Sequence, residues 1–138
     1  MNSTGDDSLQ PQGFVAELRK KHHGQTPAQI AETFFHMKAY GEPTDPANHP
    51  LGSAIQKGYY GYFPFRLDLH FEENDIGDDG YHQYFVEMYQ GGELALRYQI
   101  VGPLLFFMEH FLLGEYNFLR PGWRYLPARV WHRLRLKF

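Results

Sequence analysis

The sequence predicts an α+β fold, and three patterns carry that prediction: a capped helical segment over residues 26–41, an alternating aromatic stretch from residue 59, and a Gly-Gly pair between two further alternating runs. Helical and strand periods arranged in blocks, and not in strand-helix-strand alternation, favour separate helical and sheet layers. The expected order is two N-terminal helices, a three-stranded antiparallel meander, an apolar helix and a basic C-terminal strand or helix. With 138 residues the chain fits one domain that buries roughly two-thirds of its unfolded surface. Its expected divisions are a polar N-terminal extension over 1–13, a single α+β domain over 14–119 and a basic aromatic segment over 120–138.

Residues 1–13 are polar, acidic and Gly/Pro-bearing, without the apolar run of a secretory signal or the Arg-rich pattern of a transit peptide. Residues 14–23 then read as a short helix, with Phe14 and Leu18 on one side and Arg19, Lys20 and Lys21 on the others. At that length it is marginal without tertiary packing. The next helix has its own punctuation: Thr26 can cap, Pro27 suits the first turn, Gln29 completes a capping-box spacing and Gly41 supplies the stop. Ile30, Phe34 and Met37 form its apolar stripe. Residues 42–50 hold three prolines with Asp45 and Asn48, the composition of a loop or extended connector.

From residue 59 to 71 the period changes to two. Phe63, Phe65, Leu67, Leu69 and Phe71 share one face, and Arg66, Asp68 and His70 the other; Pro64 pushes its part towards an edge or bulge. An acidic turn over 72–80 leads to a second strand over 81–90, and Gly91-Gly92 is a two-residue hairpin signal into a third over 93–101. After Gly102-Pro103, residues 104–113 read as an apolar helix whose Phe107 and Phe111 cover the sheet. The last segment fits two periods. Alternation sets His132, Leu134, Leu136 and Phe138 against Arg133, Arg135 and Lys137 and is the cleaner match, while helical spacing groups Val130, Leu134 and Phe138.

Composition narrows the chemistry. Hydrophobic residues make up 43% and aromatics 17%, so much of the apolar content is Phe and Tyr, which suits sheets and contact surfaces. The absence of cysteine excludes disulfides, thiolate catalysis and a thiolate zinc site, and fits an intracellular, reducing compartment. Residues 100–119 have the length of a membrane span but contain Glu109, His110 and Glu115. A mid-helix charge costs roughly 2.5–3.5 kcal/mol, so a buried or interfacial helix is expected. There is no P-loop, Rossmann glycine pattern, nucleophile elbow or zinc-protease helix.

Three polar groups invite a catalytic reading. A hairpin centred on Ile76 would set His70 opposite His82, with Asp68 and Tyr84 beside them on the same face. The acidic run Glu72, Glu73, Asp75, Asp78, Asp79 matches a calcium loop in charge alone, because alignment on Asp75 puts Val86 where the bidentate Glu should stand. Glu109-His110 are adjacent in a helix and so do not face each other. No metal, cofactor or catalytic residue is assigned.

Charge segregation is the strongest functional signal. Residues 116–138 hold six basic residues and no acid, whereas 1–115 hold seven basic and sixteen acidic ones. Arg120, Trp123, Arg124, Tyr125, Arg129, Trp131, Arg133, Arg135 and Lys137 form the candidate binding group: arginine suits bidentate contacts to carboxylate or phosphate, and Trp and Tyr are apolar on one side and wet on the other. The expected partners are other protein subunits or anionic phospholipid; nucleic acid is disfavoured because the rest of the chain repels a polyanion. The expectation is a non-catalytic accessory subunit of a larger assembly, peripheral on an organellar or inner membrane. The alternative is a small α+β enzyme or ligand-binding domain. Its helices would close an aromatic pocket over a curved sheet, lined by Tyr60, Tyr62, Phe85, Tyr89 and Tyr98, with His70, Asp68, His82 or Tyr84 acting in it; in fold alone, two helices followed by a sheet resemble the cone-shaped domains of nuclear transport factor 2-like proteins.

Overall fold

The computed structural model describes residues 10–73 and 82–137. Helix α1 (Pro11–His22) begins three residues before the expected start, because Pro11 sits at the first helical turn, where no N–H partner is needed. Phe14, Leu18 and His22, one turn apart, form its buried stripe. Helix α2 (Pro27–His36) has the expected capping box: Thr26 Oγ1 accepts from the Gln29 amide at 3.1 Å, and Gln29 Oε1 accepts from the Thr26 amide at 2.9 Å. Ile30, Ala31, Phe34 and Phe35 bury its inner face.

The segment over 42–50, expected to be a plain connector, contains a 3-10 turn and ends at the start of a helix. Asp45 caps a single 3-10 turn (Pro46–Asn48), and His49 caps α3 (Pro50–Gln56), the element sequence reasoning did not anticipate. Two of its three prolines stand at the first position of these elements, where proline is tolerated.

Strands β1 (Arg66–Glu73), β2 (His82–Gln90) and β3 (Glu93–Gln99) form the expected antiparallel meander in the order β1-β2-β3. The first strand was expected from residue 59, but residues 59–65 lie outside it. Gly58 and Gly61 take φ of 81° and 102°, and the turns they make fold Tyr60 into the core at 1% exposure. Gly91 and Gly92 both have positive φ, 61° and 82°, as a twist-matched two-residue turn requires.

Helix α4 (Pro103–Leu112) packs against α2, with the Phe34 and Phe107 rings edge to face at 5.3 Å. One core joins these helices to the inner face of the sheet, where Tyr84, Val86 and Met88 pair with Phe71, Leu69 and Leu67. Two 3-10 turns, Asn117–Leu119 and Trp123–Tyr125, lead into α5 (Leu126–Lys137). The cleaner strand-like alternation of this segment does not decide its structure. Alanine, leucine and arginine are strong helix formers, Pro127 lies in the first turn, and helical spacing brings Ala128, Arg129 and His132 to the side nearest the body.

Candidate docking surface

The C-terminal segment is clasped to the body by its own basic residues. The Gly41 amide donates to the Leu119 carbonyl at 2.9 Å. The Arg120 guanidinium meets one carboxylate oxygen of Glu42 through Nε at 2.9 Å and Nη2 at 2.8 Å, and lies 4.3 Å from the Tyr125 ring centre. Arg129 donates to the carbonyls of Arg120 and, at 3.0 Å, Gly122, while facing the Tyr40 ring. One turn on, His132 stacks on Phe118 and meets Phe35 edge to face at 4.7 Å. Its Nε2 is 2.6 Å from Glu32 Oε1 but out of line for a hydrogen bond, so this contact is one of charge whenever the imidazole is protonated.

The nine residues singled out from sequence therefore divide. Arg120, Tyr125 and Arg129 turn inward and hold the segment together. Trp123 is 88% exposed and Trp131 66%, and Arg124, Arg133 and Arg135 also face solvent; these three arginines make no ion pair among the described residues. Lys137 ends α5, and its side chain lies outside the described residues. Sequence reasoning left out Leu126, Val130 and Leu134, which form an exposed apolar ladder along α5. Helical spacing of Val130 and Leu134 was the available signal. The ladder follows from reading the segment with a period of 3.6.

The histidine pair of the sheet is not formed. His70 pairs with Phe85, and His82 with Glu73, because each partner is shifted by three residues from the register centred on Ile76. An odd offset exchanges faces. Tyr84 consequently lies on the inner face, while Asp68 and His70 lie on the outer one, where Arg66 pairs with Asp68 at 3.0 Å and Arg97 with Glu72 and Glu87. Of the acidic run, Asp75, Asp78 and Asp79 lie outside the described residues. His110 pairs with Glu115, not with Glu109. Among the described residues no cluster of three His, Asp or Glu side chains could hold a metal ion.

The five aromatics expected around a pocket do not converge. Tyr60 is buried against His22, Tyr62 is 78% exposed, the Arg97 guanidinium covers Phe85 at 3.7 Å and that of Arg66 covers Tyr89 at 4.2 Å. Tyr98 lines a cleft of about 180 Å³ with Leu18, His22 and Leu104, below the roughly 300–1,000 Å³ of small-molecule sites.

Two buried histidines are structural. His22 Nδ1–H donates to Gln25 Oε1 at 2.9 Å, leaving Nε2 to accept from the Tyr60 hydroxyl at 2.6 Å. Burial lowers the His22 pKa and raises that of Tyr60, so both remain neutral. His49 Nδ1 accepts from the Leu51 amide at 3.1 Å, and its ring stands edge to face with Phe71 and Phe111. Complete burial lowers its pKa to about 3. Burial thus disfavours the protonated form of both imidazoles.

No helix among the described residues is long and apolar enough to cross a membrane. No protein-family model, curated protein or solved structure matches the chain.

Proposed function

We propose that the chain is a non-catalytic accessory subunit of a larger, membrane-associated assembly, attached through its C-terminal segment. The observation that carries this reading is the division of labour within that segment: Arg120, Arg129 and His132 fasten it to the body, while Trp123, Trp131, Leu126, Val130, Arg124, Arg133 and Arg135 face outward. Exposed apolar side chains rimmed by charge mark contact surfaces. The exposed Val101, Phe106 and Leu113, next to and within α4, offer neighbouring protein subunits a second apolar contact. A peripheral place on an organellar or inner membrane, in a reducing compartment, suits a cysteine-free chain. Nucleic acid is a poor partner for a chain with sixteen acids in its first 115 residues.

The test is the native mass of the tagged protein after gentle extraction, with mass spectrometry of what accompanies it. Co-migration with a large assembly is expected, and release from it on changing Arg124, Arg133 and Arg135 together to Glu. A free monomer, or a triple variant that stays in the assembly, overturns the reading.

A further inference from the structure

We infer that the surface directly beneath α5 and the Trp123 turn is an anionic lipid surface; this deepens the docking reading above and rests on it. Three observations select lipid. The first is shape. Twelve residues make a helix roughly 18 Å long. A helix of that length is a narrow convex ridge, the shape that lies along a headgroup layer. A lipid surface needs no shaped counterpart.

The second is side-chain order. At 100° per residue, Leu126, Val130 and Leu134 form the crest of the outer face, Trp131 stands beside it, and Arg133 and Arg135 fall on its two flanks. Trp123 and Arg124 extend the same chemistry into the preceding turn. Apolar crest, tryptophan and flanking arginine are what a helix lying in the headgroup region presents: the crest reaches the acyl boundary, the indoles sit at headgroup level, and the arginines reach phosphate.

The third is charge. No acid occurs from Tyr116 to the end of the chain, so nothing on this element repels an anionic surface. The inward arginines, Arg120 and Arg129, keep the element attached to the body whether or not lipid is bound.

Trp123 and Trp131 are the two tryptophans of the chain, so tryptophan emission, excited beyond the tyrosine absorption band, reports on this element alone. Purified full-length protein is titrated with vesicles of phosphatidylcholine, and with vesicles of equal parts phosphatidylcholine and phosphatidylglycerol, with fluorescence and co-sedimentation as readouts. The anionic vesicles are expected to bind the protein, shift its emission to the blue and lose it at high salt. Removing three arginines at about 1 kcal/mol each, about fivefold apiece, weakens binding by about a hundredfold. The Arg124, Arg133 and Arg135 to Glu triple variant is expected to lose at least that much. Arg133→Gln with Arg135→Gln is the milder second variant, expected to lose about twenty-fivefold. Equal binding to neutral vesicles, unaltered binding by both variants, or indifference to all vesicles overturns the inference. Indifference to vesicles together with release of the triple variant from the native assembly assigns the surface to an acidic protein partner and leaves the docking reading standing. A triple variant retained in that assembly removes both.

Discussion

The imidazole of His132 lies flat on the phenyl ring of Phe118, with 3.7 Å between ring centres and 3° between planes. This stack, the edge-to-face contact with Phe35 and the close approach of Glu32 are the middle anchor of α5. His132→Ala removes all three. Aromatic pairs contribute about 0.5–1.5 kcal/mol each beyond their buried area. The expected result is faster amide exchange in α5 with little change in α2 or the sheet. Uniform acceleration across the chain would mean that α5 is integral to the core.

His49 makes stability depend on pH in a defined direction. Its pKa is lowered from 6.5 to about 3 by burial, so the unfolded chain takes up a proton that the folded chain refuses. The neutral histidine's contribution is complete above pH 6.5 and is lost as pH falls from 6.5 towards 3. His22 acts in the same sense. His49→Asn keeps a capping acceptor ahead of α3 but removes the titration. Chemical denaturation from pH 8 to 4 is expected to show a shallower acid loss in the variant, of the order of several kcal/mol less across the window. Parallel pH profiles would contradict the assignment.

Tyr60→Phe deletes the hydroxyl that donates to buried His22 Nε2 and leaves that nitrogen without its partner. An orphaned buried acceptor costs about 1–3 kcal/mol. The same variant is expected to raise the His22 pKa no further than its ordinary value, so an NMR titration of the imidazole should stay below that of an exposed histidine.

Gly41→Ala tests the clasp from the other side. A Cβ there would stand 2.1 Å from the Asn48 carbonyl oxygen and 2.7 Å from the His49 carbonyl carbon, both backbone atoms that cannot swing aside. The variant is expected to lose about 1–3 kcal/mol, the range of overpacked sites, measured by denaturant midpoint. An unchanged midpoint would show that residues 42–50 can shift freely.

Legibility in the sequence followed the range of the forces involved. The α2 cap and the Gly91-Gly92 turn depend on residues within four positions of one another, and both stand as the pattern implied. The register of β1 on β2 depends on the connection between them, which periodicity does not fix, and a three-residue offset was enough to move Tyr84 to the inner face. The prolines of residues 42–50 looked like breakers because their position relative to a helix start is invisible until the start is known. In the docking segment the basic and aromatic residues were legible as a group. Which of them face inward was not, because that depends on Glu42, Tyr40 and Phe118, brought close only by the fold.

The Arg120–Glu42 bridge joins residues 78 positions apart. Mechanically it is a short circuit. A pull on α5 passes through Arg129 and Arg120 to Glu42, and through Leu119 to Gly41, directly to the end of the segment that follows α2. The sheet, although it intervenes in sequence, lies on neither path. A tether of this form can be strained from outside while the ladder of β-strand hydrogen bonds stays at rest.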